Sequence, residues 1–111
     1  MIDNSIIKQC LASNLGMTAL AGFEYLPAVV YEILMFSNQG LRYTLGNVYV
    51  NVARYNCTKP VNIERGLRYY KESLRKNIDL ESLFGVKIGK RYTNQEFIKN
   101  VMDMLKKEGA F

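Results

Sequence analysis

The chain contains no histidine. That removes the usual general base near neutral pH, the commonest zinc ligand and every histidine-containing catalytic triad. Cysteine is nearly as scarce: Cys10 and Cys57 stand far apart, with no CxxC pair. This spacing argues against a disulfide framework and leads us to expect two buried or half-buried free thiols. Long apolar runs are missing too. None approaches the roughly 18 residues needed to span a bilayer, and the longest, from Leu26 to Phe36, is broken by Glu32. The first residues, MIDNSIIKQC, lack the basic start and long apolar segment of a signal peptide. A cytoplasmic location without membrane contact is therefore expected. The ten carboxylates form no recognisable acid/base pair, so the reading is a non-enzyme without metal, cofactor or small-molecule substrate.

Strand-like alternation is absent except at Asn47 to Val52, where Val48, Val50 and Val52 alternate. The residues around them suit a helix better. An apolar fraction of 49% with 23% charged residues is that of a globular chain, and 111 residues suffice for one core. Charge is unevenly spread. Residues 1–41 carry a net −2, and residues 42–111 a net +7. Seven bases and only Glu64 and Glu72 as acids lie between Arg54 and Lys76. A basic segment of this kind marks either a polyanion partner or a solvated helix face.

The chain reads as an all-α compact bundle of about six helices. Asp3 or Asn4 can cap a first helix that carries Ile6, Ile7, Cys10 and Leu11 and stops at Gly16. A second, from about Tyr25 to Phe36, is apolar nearly all round and has Pro27 in its first turn. Thr44 or Asn47 opens a third, ending near Tyr55, with Val48, Val52 and Ala53 facing inward and Tyr49 and Tyr55 at the edges. After the turn Asn56–Lys59 comes a longer basic helix with Pro60 at its start, Thr58 as its better cap and Asn77 as its stop. Ile63, Leu67, Tyr70 and Leu74 recur at helical spacing and form its inner stripe. Val61, Arg65, Arg68 and Glu72 fall on the opposite side. Asp79 caps a short turn of helix ending at Gly85, and residues 86–92 form a basic loop. Thr93-Asn94-Gln95-Glu96 is a capping box ahead of a last helix to about Lys107.

The pair of helices around Asn56–Lys59 has the parts of a DNA-binding helix-turn-helix. Ala53 is the small residue of the first helix, Ile63 anchors the second, and Gly66 allows the two to approach closely. Cys57 takes the turn position often filled by glycine. Arg65 suits guanine O6/N7, and Asn62 suits adenine or a phosphate. Glu64 can accept from cytosine N4 or pair with Arg68 four residues on. Thr58, Lys59 and Arg68 suit phosphates, and Tyr69 suits a phosphate or the edge of the core. Arg75 and Lys76 complement the helix C-terminus. Lys87, Lys90 and Arg91 make either a second backbone contact or a solvated loop.

Four blocks then carry a family resemblance: LGMTALAGFEYL (Leu15–Leu26), VARYNCTKPVNIERGLRY (Val52–Tyr69), NIDLESLFG (Asn77–Gly85) and TNQEFIKNVMDML (Thr93–Leu105). They resemble the C-terminal effector domain of the stage-zero sporulation response regulator, and the second block aligns without gaps. The resemblance implies a six-helix bundle that binds a short box in double-stranded DNA, often as tandem copies or a homodimer, with the last helix as the surface between copies. It implies that Glu64, Arg65 and Arg68 occupy DNA-contact positions. The chain departs from the family pattern at Val61, where the family has serine, and at Asn62, where it has a base-reading arginine. No receiver domain accompanies the blocks, so a stand-alone transcriptional regulator is expected. The alternatives are an accessory architectural factor for recombination or excision of a mobile element, and a protein-interaction antagonist of a full-length regulator.

Overall fold

Capping chemistry written into the sequence sets most of the helix starts. A computed structural model describes residues 3–111 and contains α1 (Asn4–Leu15), α2 (Ala21–Asn38), α3 (Leu45–Tyr55), α4 (Pro60–Asn77), α5 (Leu80–Phe84) and α6 (Asn94–Lys107). The Asp3 carboxylate accepts from the Ser5 N–H at 2.8 Å, and the Thr44 hydroxyl accepts from the Asn47 N–H at 3.1 Å. Asp79 accepts from the Ser82 N–H at 3.1 Å. Thr93 and Glu96 complete the capping box reciprocally. Each bond satisfies an N–H that the first helical turn leaves without a partner. Gly85 closes α5 in the left-handed region at φ +69°, where a side chain would be strained. The described residues contain no strand, and Asn47–Val52 lies inside α3.

The bundle is organised around α2, which packs against α1, α3, α4 and α6. Phe23, Leu26, Val29, Val30 and Ile33 are at most 1% exposed, as an all-round apolar helix requires. Its start differs from the expectation. The helix begins at Ala21, so Pro27 sits inside it rather than in its first turn. The cause is tertiary: Gly22 and Phe23 are buried against α4, and that packing extends the helix backward past the proline. Pro27 leaves the Phe23 carbonyl without its intrahelical donor. Packing along the rest of α2 outweighs that loss.

The inner stripe of α4 is fully buried at Ile63, Leu67, Tyr70 and Leu74, each such side chain contributing about 1.5–3 kcal/mol of burial. Tyr70 packs edge-on against Phe23 and Phe97, with ring centroids 6.0 and 6.5 Å away. Its hydroxyl donates to the Gly16 carbonyl at 2.7 Å, tying α4 to the end of α1. Gly66 does permit a close helix approach, but to α2 rather than α3. A Cβ on Gly22 would lie 2.1 Å from the Gly66 carbonyl oxygen. Three other residues differ from the sequence reading: Ile6 and Cys57 are exposed, and Tyr49 is buried rather than at the core's edge.

Candidate nucleic-acid interface

The turn between α3 and α4 is held by its own short-range bonds. The Thr58 N–H donates to the Ala53 carbonyl at 3.0 Å, and the Asn56 side-chain amide donates to the Val52 carbonyl at 2.8 Å. Ala53 is 2% exposed, which lets the turn fold back over the end of α3. Cys57 has φ +52°, the left-handed value that favours glycine. The residue that caps α4 is Lys59, with no side-chain cap bond. Thr58, expected as the cap, lies one residue too early. Its hydroxyl instead accepts from the Asn62 side-chain amide at 2.8 Å.

On the outer side of α4 the polar side chains bond only to near neighbours. Arg68 pairs with Glu64 at 3.1 Å across one helical turn. Both side chains keep substantial exposure, so the pair contributes little to stability. Arg65 is exposed and belongs to no ion pair among the described residues. Lys59 and Asn62 are exposed beside it. Tyr69 is 63% exposed and Val61 45%, so Tyr69 projects outward rather than packing at the core's edge. Helical geometry places Val61, Arg65 and Arg68 along one outward strip. This strip is basic, with an apolar group at its N-terminal end.

Glu64 has a second tie. Its backbone carbonyl accepts from the Asn94 side chain at 3.1 Å, which joins the start of α6 to the flank of α4. The basic loop 86–92 follows the same flank. Its backbone is pinned where the Ile88 N–H donates to Glu81 at 2.8 Å. Arg75 donates to the Gly89 and Lys90 carbonyls at 3.0 and 3.3 Å, and the Lys71 ammonium donates to the Tyr92 carbonyl. Lys87, Lys90 and Arg91 are all exposed. The three cations therefore lie beside the C-terminal half of α4, apart from the Asn62–Arg68 group at its N-terminal half.

Sequence reasoning missed Lys71 and placed Arg75 only as a complement to the helix dipole. Lys71 is the one buried charged residue among the described residues, at 4% exposure. Burial lowers the pKa of its ammonium, an effect that Glu72 partly opposes. Its position eight residues after Ile63, on the margin of the buried stripe, was the available signal. No group of His, Cys, Asp and Glu among the described residues could hold a metal ion. None of their helices is long and apolar enough to cross a membrane.

A six-helix bundle that presents one basic helix behind a tight turn defines a small class of all-α domains. Residues 7–105 match the model of the family described as sporulation initiation factor Spo0A C terminal. The chain belongs to that family, one of DNA-binding regulatory domains rather than of enzymes. No curated protein and no solved structure matches the chain significantly.

Proposed function

We propose that the chain binds double-stranded DNA sequence-specifically, with α3 and α4 acting as a helix-turn-helix, and regulates transcription in a sporulation-related setting. The observation that carries this reading is the outward strip of α4. Arg65 stands exposed on it, in no ion pair among the described residues, behind a turn held by local hydrogen bonds. With α4 in the major groove, Arg65 reads guanine O6/N7 through its two-pronged guanidinium. Exposed Val61 contributes an apolar contact suited to a thymine methyl. Its start and that of Arg65 are four residues, about 6 Å, apart along the helix axis, so the two contacts fall within about two base pairs.

Asn62 and Glu64 join the base-facing group after exchanging their present partners, Thr58 and Arg68, for DNA. Thr58, Lys59, Arg68 and Tyr69 serve the phosphates at the groove's edge, and Lys87, Lys90 and Arg91 serve a second stretch of backbone. Tandem binding or a homodimer would use the outer side of α6, since Phe97, Ile98, Val101, Met104 and Leu105 are committed to the core.

Selection of bound duplexes from a random pool at two salt concentrations tests the proposal. The expected result is an enriched box that contains guanine, with retention falling as salt rises. A pool that shows no enrichment and no retention at low salt would overturn it.

A further inference from the structure

A charged side chain is taken out of water only at a cost, and a lone lysine tends to neutralise or be replaced. Lys71 is nevertheless buried, on the margin of a stripe whose other members are Ile, Leu and Tyr. Its bonds explain what it holds. The ammonium donates to the Tyr92 carbonyl, lies 3.7 Å from Glu72 and sits 5.8 Å from the centre of the Tyr92 ring. One helical turn further on, Arg75 lies 5.8 Å from the same ring centre and donates to the carbonyls of Gly89 and Lys90.

The two cations of α4 thus occupy three carbonyls of one loop. The Tyr92 ring packs on Phe97 at 6.1 Å, and its hydroxyl donates to Asn100, so the loop's end is also fastened to α6. Between Gly85 and Tyr92 the loop contains Lys87, Lys90 and Arg91 and no acid. A loop with its carbonyls turned onto α4 and its cations left in solvent is built to present positive charge at a fixed distance from that helix.

We infer that Lys71 and Arg75 are positioning residues that clamp loop 86–92 against α4, so that Lys87, Lys90 and Arg91 contact a stretch of DNA backbone separate from the one beside Arg68. The inference rests on the DNA-binding reading above. It adds a division of labour: α4 meets the groove with its N-terminal half and, through the clamp, aims a second phosphate-binding segment with its C-terminal half. Neither clamp residue touches DNA. Their effect passes through the loop.

The test compares the parent, Lys71→Met, Arg75→Gln, the triple variant Lys87→Gln/Lys90→Gln/Arg91→Gln, and each clamp change combined with the triple change. Binding to one fixed duplex is measured across a salt series. Each lost phosphate contact makes the log–log salt slope shallower by about 0.9. The triple variant, which loses three contacts, is expected to flatten the slope by about 2.7. Each clamp variant should flatten it by a similar amount, and clamp and triple changes together should give no more than either alone. Amide exchange in residues 86–92 should quicken in the clamp variants while exchange in α2 is unchanged, which separates a released loop from a damaged fold. If Lys71→Met does not fold, Arg75→Gln carries the test alone.

The inference is overturned if the clamp variants keep the parent's slope, or if clamp and triple effects add in full. A triple variant with an unchanged slope also overturns it and leaves groove binding by α4 intact. A parent without salt-dependent binding refutes the DNA-binding reading itself.

Discussion

The two sides of α4 use the same helix in opposite ways. On the inner side every group is committed to something distant in sequence. Tyr70 reaches Gly16, Lys71 reaches Tyr92, and Gly66 lies against Gly22. On the outer side bonds close within one turn, Asn62 to Thr58 and Arg68 to Glu64, and Arg65 belongs to no ion pair among the described residues. Inner-side interactions fix where the helix stands. Outer-side interactions are weak and exposed, so a ligand can replace them at small cost. The difference explains how one helix can be both a structural centre and a surface able to exchange partners.

The sharpest way to break this contrast is on the inner side. Gly22→Ala puts a Cβ 2.1 Å from the Gly66 carbonyl oxygen and 2.6 Å from the Tyr70 Cβ. Backbone cannot yield as a side-chain end can, so a loss of about 3 kcal/mol is expected in denaturant unfolding. On the outer side, Arg65→Ala should leave the unfolding midpoint unchanged while reducing discrimination at one base pair by about 1–3 kcal/mol, read by competition between selected and singly mismatched duplexes.

The inner side also predicts a pH dependence. Burial raises the Tyr70 hydroxyl pKa above its ordinary value of 10.0, and burial with Glu96 nearby does the same for Tyr92. A raised folded pKa gives stability that is complete below pH 10 and is lost as pH climbs toward the folded values. Lys71 contributes with the opposite sign. Its lowered pKa means that the unfolded chain holds the proton more strongly, so its share of stability rises as pH approaches 10.5. Unfolding midpoints measured from pH 7 to 11 should therefore fall above pH 10. In Tyr70→Phe the fall should be smaller, after a loss of about 1 kcal/mol at neutral pH from the missing bond to Gly16. The smallest effect belongs to the outer side again. Thr58→Val removes the half-buried partner of Asn62 and should change stability by no more than about 0.5 kcal/mol, which thermal melting can check.

What could be read from the sequence follows the same division. The Thr93–Glu96 box, the Asp79 and Thr44 caps and the Ile63–Leu67–Tyr70–Leu74 stripe all rest on contacts within a few residues, and spacing reveals those. The Glu64–Arg68 pair was legible for that reason. The start of α2 was not, because Gly22 is helical on account of its packing on Gly66, a partner that no local pattern names. The partners of Lys71 and Arg75 were illegible likewise: they lie 21 and 14 residues on, in a segment that local composition marks only as a basic loop. Thr58 was misplaced as the α4 cap by one residue, a shift that Pro60 permits because its fixed φ suits the first helical position.

The central claim is that the outward strip of α4 is a surface for a polyanion read in sequence. It is tested most directly by the salt dependence of binding to a selected duplex, set against that for a scrambled duplex of equal length. The account predicts affinity for both that falls steeply with salt, by about 0.9 in slope per phosphate contacted, and a preference for the selected duplex that persists as salt rises. Equal affinity for the two duplexes at every salt concentration, or binding indifferent to salt, would contradict it.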